Sequence, residues 1–231
     1  MSYRVGFDMD GVLADFSAAF HVVEARLFPD VSELPAGEPE VEAAAQEGAP
    51  DSTVKPADNP YETRRRREAI WNEIRRTANF WTTLEPTEPG AVRRLHELML
   101  RHRWEVFFIT QRPATDGDTV QRQTQHWLVA QGFDLPSVLV IAGSRGAAAG
   151  ALRLDYHVDD SPQNCLDVMA ASPAQAILVA SGADQKIETA RKLGMAIVPS
   201  IGPALDLLDQ VSEARTNPTL LKRLAAMVGW R

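Results

Sequence analysis

Tyr3-Arg4-Val5-Gly6-Phe7-Asp8-Met9-Asp10-Gly11 reads as a buried strand, Tyr3 to Phe7, that ends abruptly at two acids and a glycine. The i,i+2 spacing of Asp8 and Asp10 puts both carboxylates on one face of the strand end. Gly11 then lets the chain turn tightly and leaves backbone N–H groups available for an anion.

The pattern downstream tells which kind of sheet this strand enters. From Glu88 onward, helical periodicity and short apolar runs alternate. Helices are predicted near 89–102, 118–131, 147–152, 162–171 and 184–193. Strands are predicted at 104–109, 137–142, 156–158, 176–180 and 195–198. Strands that alternate with helices form a parallel sheet covered on both faces, so the fold class is α/β and Rossmann-like. Phe16 to Leu27 has helical spacing, and Gly202 to Arg231 reads as two amphipathic helices broken near Asn217-Pro218.

Between the first and second strands the composition changes. Pro29 to Pro60 is rich in Pro, Glu, Ala and Gly, and Lys55 is its only base. Such a stretch buries little and is expected to be a mobile loop or a loosely packed excursion, with at most a brief helix near 40–46. A basic helix with Arg64 to Arg67, Ile70, Trp71 and Ile74 follows it. Four arginines there pair more simply with the preceding acids than with a nucleic acid.

Composition narrows the function classes. Asp and Glu number 31 against 24 Lys and Arg, a net charge of -7, which gives no general attraction for nucleic acid polymers or anionic membranes. Cys165 is the one cysteine, so an intrachain disulfide is excluded and a cytoplasmic setting is expected. The apolar run before Asp8 is too short and too acidic for a secretory signal, and no apolar run is long enough to span a bilayer. A homodimer is compatible with the sequence.

In open parallel sheets, ligands bind beyond the carboxyl ends of the strands. There the chain carries Asp8 and Asp10, then Thr110, Gln111 and Arg112, then Gly143, Ser144 and Arg145, then Asp159 and Asp160. Four carboxylates with few nitrogen or sulfur competitors favour a hard cation, Mg²⁺ foremost. Thr110 and Arg145 suit phosphate oxygens, and a carboxylate beside cation and phosphate can attack phosphorus. As a plainer reading, the paired acids 159 and 160 would cap the helix that starts at Pro162. The five histidines show no ligand-like spacing, and Cys165 reads as a small core residue.

Asp8-Met9-Asp10-Gly11-Val12-Leu13-Ala14-Asp15-Phe16 resembles the first motif of the haloacid dehalogenase (HAD) superfamily, in the form of its 5'-deoxyribonucleotidase branch. Phe108-Ile109-Thr110 resembles the second motif and Val158-Asp159-Asp160 the fourth. The passages Ile70-Trp71, Asn79-Phe80-Trp81, Leu84-Glu85-Pro86 and Pro89-Gly90-Ala91-Val92 are similar to the exit from the helical cap in that branch. Two positions depart from the pattern. Arg145-Gly146 stands where the third motif has Lys, and Ser161 stands where related nucleotidases often carry Arg.

The resemblance implies a HAD-type core, 1–16 and 83–231, with a small helical cap, 17–82, inserted after the first strand. It implies a Mg²⁺-dependent phosphomonoesterase, foremost a 5'-nucleotidase, with a phosphatase of another small phosphate ester such as a sugar phosphate as the alternative. A weakened relative that only binds a phosphorylated ligand is the third reading, and a receiver-type signalling module a distant fourth. Asp8 would be the nucleophile and Asp10 the acid and base. Asp8, Asp10, Asp159 and Asp160 would form the metal site, with Asp159 either a ligand or a support. Thr110, Gln111 and Arg145 would bind phosphate. Phe16, Trp71 and Arg112 would face the substrate; the plainer alternatives are cap packing for the two aromatics and a surface salt bridge for Arg112.

Overall fold

The computed structural model describes residues 2–29, 60–181 and 185–215. The acidic stretch after Asp30, the helix expected near 40–46 and the second C-terminal helix lie outside them.

Six strands form one all-parallel sheet: β1 (Arg4–Phe7), β2 (Glu105–Thr110), β3 (Ser137–Val140), β4 (Tyr156–Asp159), β5 (Gln175–Val179) and β6 (Ala196–Val198). Their order is β3-β2-β1-β4-β5-β6. The chain therefore winds outward from β1 in one direction and from β4 in the other, and the order reverses between β1 and β4. Alternate residues serve opposite faces. Phe7, Phe108, Val158 and Ile177 join one apolar layer with Leu95 and Leu98 of α3 (Ala91–His102) and Leu205 and Leu208 of α8 (Ile201–Ala214), with α4 (Val120–Ala130) adding Trp127. On the other face, Ile109 packs with Ala149 of α5 (Arg145–Leu152) and Val168 of α6 (Pro162–Ala171), while Leu178 packs with Cys165 and with Ala190 of α7 (Gln185–Lys192). Cys165 is buried, and that burial pushes its thiol up.

Between β1 and β2 the chain makes α1 (Phe16–Leu27) and α2 (Pro60–Arg76). Asp15 caps α1 by accepting the Ala18 N–H at 2.9 Å. The entering and leaving segments are stitched together: Asp15 N–H donates to Glu85 O at 2.8 Å, and Thr87 N–H to Leu13 O at 2.9 Å. Arg26 of α1 pairs with Glu73 of α2 at 2.6 Å. Phe16 stacks on Trp71 with centroids 5.4 Å apart and leans on Trp81 at 5.6 Å, so aromatic packing joins the helical pair to the turn that follows it. No helix among the described residues is long and apolar enough to cross a membrane.

The expected elements are all present within the described residues, with one informative shift. The helix expected from Ala147 begins two residues earlier, at Arg145. Ser144 is its cap, accepting the Ala147 N–H at 2.9 Å, and Asp167 of α6 accepts from Gly146 N–H at 2.8 Å and from the Ser144 hydroxyl at 2.7 Å. A glycine in a first turn is weak by propensity. Here the contact with α6 decides, because a Cβ on Gly146 would lie 2.2 Å from the Asp167 carbonyl oxygen.

Candidate active site

The strand order reverses at β1 and β4, and the acids stand at the carboxyl ends of those two strands. Asp8 is fixed beside β4 by its own N–H, which donates to Val158 O at 2.9 Å. Its carboxylate is ion-paired with Arg145, the first residue of α5, the helix that follows β3. Arg145 also faces Asp159, with Nε 3.5 Å from Oδ2. Asp8, Asp10, Thr110, Arg112, Arg145 and Asp159 are all buried, whereas Asp160 is exposed.

Burial drives the Asp8 carboxyl well above the ordinary carboxylate range; Arg145 opposes this, and Asp159, Asp160 and Asp10 add to it. Among these acids, Arg145 is the guanidinium that faces Asp8 and Asp159. Asp159 goes the other way. Burial would raise it, but the hydrogen bond from His157, the charge of Arg145 and the Ser161 N–H hold it below its usual value.

The chain at Asp10-Gly11 turns as its residues demand. Gly11 has φ +77°, and Gly11 N–H donates to Ala14 O at 2.9 Å. A Cβ on Gly11 would lie 1.9 Å from Asp160 Oδ2, so the glycine lets the Asp160 carboxylate lie against the turn, next to Asp10.

Several residues take different places from those expected. Arg112 is neither at the surface nor turned toward an open site. It is 3% exposed, forks onto both oxygens of Asp10, donates Nη1 to Thr124 at 3.1 Å, and lies 4.8 Å over the Trp81 ring. Gln111 commits its amide to Gly143 O at 2.7 Å, bracing the loop before Arg145. Phe16 and Trp71 are 2% and 5% exposed and spend their faces on one another and on the aromatic cluster, which is the packing alternative. Asp159 is fully enclosed: Oδ1 accepts from Ser161 N–H at 2.9 Å and Asn164 Nδ2 at 3.2 Å, and Oδ2 is 3.0 Å from His157 Nε2. That makes it a support for Arg145 rather than an open ligand. Ser161 caps α6, accepting the Asn164 N–H at 3.3 Å.

His157, Asn164 and Asp167 escaped the sequence reading. Nothing in their spacing marks them, because each acts across a tertiary contact. A cavity of about 290 Å³ lies along α1 and the turn after α2, lined by Ala19, Val23, Arg26, Thr77 and Phe80 among others, and none of the four acids borders it.

The fold of this all-parallel sheet and its covering helices is shared with solved structures of low sequence identity. A HAD family hydrolase from Deinococcus radiodurans R1, solved with bound phosphate and sodium, superposes with a TM-score of 0.53 at 16% identity, over 99% of this chain and 98% of that one. A protein from Thermotoga maritima provisionally assigned as a beta-phosphoglucomutase superposes with a TM-score of 0.52 at 18% identity, over 90% of this chain and 99% of that one. A hydrolase from Pseudomonas syringae gives 0.52 at 15% identity, over 91% and 98%. These likenesses show the fold. No protein-family model matches the sequence, and no curated protein does.

Proposed function

We propose that this chain is a phosphomonoesterase that works through an aspartyl-phosphate on Asp8. The observation that carries the reading is the Asp8 carboxylate at the tip of β1, ion-paired with the buried Arg145 and crowded by three further acids. Of the described residues, those within 17–82 would form its cap and those within 1–16 and 83–231 its core.

A hard divalent cation suits the donor chemistry. Beside Arg145, the groups crowding Asp8 are the carboxylates of Asp10, Asp159 and Asp160, and each of these adds to the upward push that burial gives its carboxyl. Among the described residues no three His, Cys, Asp or Glu side chains are grouped to hold a metal. Mg²⁺ commonly uses only one or two carboxylates and keeps several waters. The Asp8 and Asp160 carboxylates and the Asp10 backbone carbonyl would hold it, and it would supply positive charge to the phosphate and keep Asp8 ionised.

The chain's own residues do the rest. The Arg145 guanidinium and the Thr110 hydroxyl hold phosphoryl oxygens. An Asp8 oxygen bonds to phosphorus as the ester P–O bond breaks, and Asp10 gives its proton to the leaving oxygen. Water then attacks the same phosphorus, Asp10 takes its proton, and the Asp8 carboxylate departs with phosphate released. Positioning and charge supply most of the acceleration.

The motif resemblance favours nucleoside monophosphates as substrates. One observation favours the sugar-phosphate alternative: Phe16 and Trp71, the aromatics that would stack on a base, are stacked on each other. The test is phosphate release from a panel of nucleoside monophosphates and sugar phosphates, with Mg²⁺ or with EDTA, beside Asp8→Asn. Release that needs both Mg²⁺ and Asp8 supports the reading. No release from any ester overturns it, and turnover confined to sugar phosphates overturns the nucleotidase.

A further inference from the structure

His157 sits in β4 on the same face as Asp159, two residues before it, and is fully buried. An imidazole is an unusual filling for this place, which lies next to the apolar group of Ile109, Ala149, Leu154 and Val168. Room is made for it across the sheet. Gly6 is its register partner on β1, and a Cβ there would lie 2.7 Å from His157 Nδ1 and 2.6 Å from Leu154 Cδ1. The ring is only half satisfied, since Nδ1 has no hydrogen-bond partner. A leucine would fill the space without that penalty, so packing does not account for the ring.

What the ring does is reach Asp159. Nε2 lies 3.0 Å from Oδ2, the same oxygen that faces Arg145 Nε at 3.5 Å. An ionised carboxylate only accepts hydrogen bonds, so Nε2 is the donor. The other oxygen is held by Ser161 N–H and Asn164. His157, Asp159, Arg145 and Asp8 thus form one continuous buried chain that ends on the proposed nucleophile.

We propose that His157 is a positioning residue for the phosphoryl transfer, fixing Asp159 so that Asp159 in turn keeps the Arg145 guanidinium on Asp8. The proposal rests on the phosphatase reading above. It predicts that the side chain matters through its Nε2 donor and through Arg145, and through nothing else.

The experiment uses the full chain and the best ester from the panel. Three variants are compared: His157→Gln, whose amide nitrogen reaches the place of Nε2; His157→Asn, whose amide stops short; and His157→Leu. The Asn and Leu variants are expected to lose kcat about tenfold or more, as supporting partners of a site commonly do, while Gln stays within about threefold of wild type. In an Arg145→Ala background, His157→Leu should lower kcat less than about twofold further, although its effect on Tm persists. If Leu does not fold, the Gln and Asn pair decides. Equal kcat in Gln and Asn, or full additivity with Arg145→Ala, overturns the proposal while leaving the phosphatase reading intact. No turnover by wild type overturns both.

Discussion

Arg112 grips Asp10 with two edges of its guanidinium: Nε lies 2.8 Å from Oδ2 and Nη2 lies 2.6 Å from Oδ1, in a place where the arginine side chain has no exposure. The fork fixes the plane of the carboxyl, and Trp81 beneath it and Thr124 beside it fix the fork. Trp81 lies in the short turn after α2 and donates its Nε1–H to Pro113 O at 3.0 Å, so the seat of that turn and the orientation of Asp10 share one arginine. Arg112→Ala leaves a buried acid without its partner and is expected to cost about 3–5 kcal/mol in urea unfolding. Arg112→Lys keeps the charge but not the fork; it should stay folded and lose roughly tenfold to a hundredfold in kcat. Unchanged kcat in the lysine variant would show that Asp10 does not depend on this grip.

Gly11 carries two separable burdens. Its φ of +77° makes any L side chain there cost about 1–2 kcal/mol. A Cβ would also meet Asp160 Oδ2 at 1.9 Å, and Asp160, being exposed, can yield by swinging away. Gly11→Ala is therefore expected to lower Tm modestly while raising the Mg²⁺ concentration needed for half-maximal phosphate release. Titration of activity against Mg²⁺ reads this directly, and an unchanged midpoint would remove Asp160 from the cation site.

The strands and helices were legible because each carries its own period and its own punctuation. Asp8, Asp10, Asp159 and Asp160 could be read as site acids because a parallel sheet gathers whatever follows its strands. The same rule reached Arg145, which the structure puts on Asp8. It did not reach the orientation of Arg112, because an arginine after a strand looks the same whether it turns to solvent or back under Asp10. His157 carries no such mark in the sequence, because its spacing is not that of a metal ligand and its partner Asp159 lies two residues along its own strand. Asp167 acts from α6 on the first turn of α5, a relation that only the packed helices create. Phe16 and Trp71 were ambiguous between base stacking and packing, and the deciding fact is their contact with each other.

That contact gives a substrate prediction. Trp71→Ala should destabilise the chain by about 3–5 kcal/mol, since a fully packed indole leaves a large cavity. Trp71→Phe keeps an aromatic face toward Phe16 and should retain the wild-type KM for every ester that is turned over. A KM that rises for nucleoside monophosphates and not for sugar phosphates would instead place the indole against a base.

Asp167 supplies a pH prediction that is independent of catalysis. Its carboxyl is held below the ordinary value chiefly by the Gly146 N–H, then by the Ser144 hydroxyl. A group whose folded value is depressed stabilises the fold above its unfolded value, and that contribution is lost as pH falls through the folded value. Asp167 is only half-buried, so the contribution is partly screened and should stay at about 1 kcal/mol or less. Asp167→Asn is expected to lower Tm slightly at neutral pH, and the gap to wild type should begin to narrow near pH 3.8 and go on closing as the pH falls further. Because Asp167 seats the first turn of α5, where Arg145 begins, the same variant should also lower kcat at neutral pH with Asp8 and Arg145 both intact. A Tm gap that persists unchanged at low pH would show that the asparagine acts through packing and not through the lost charge.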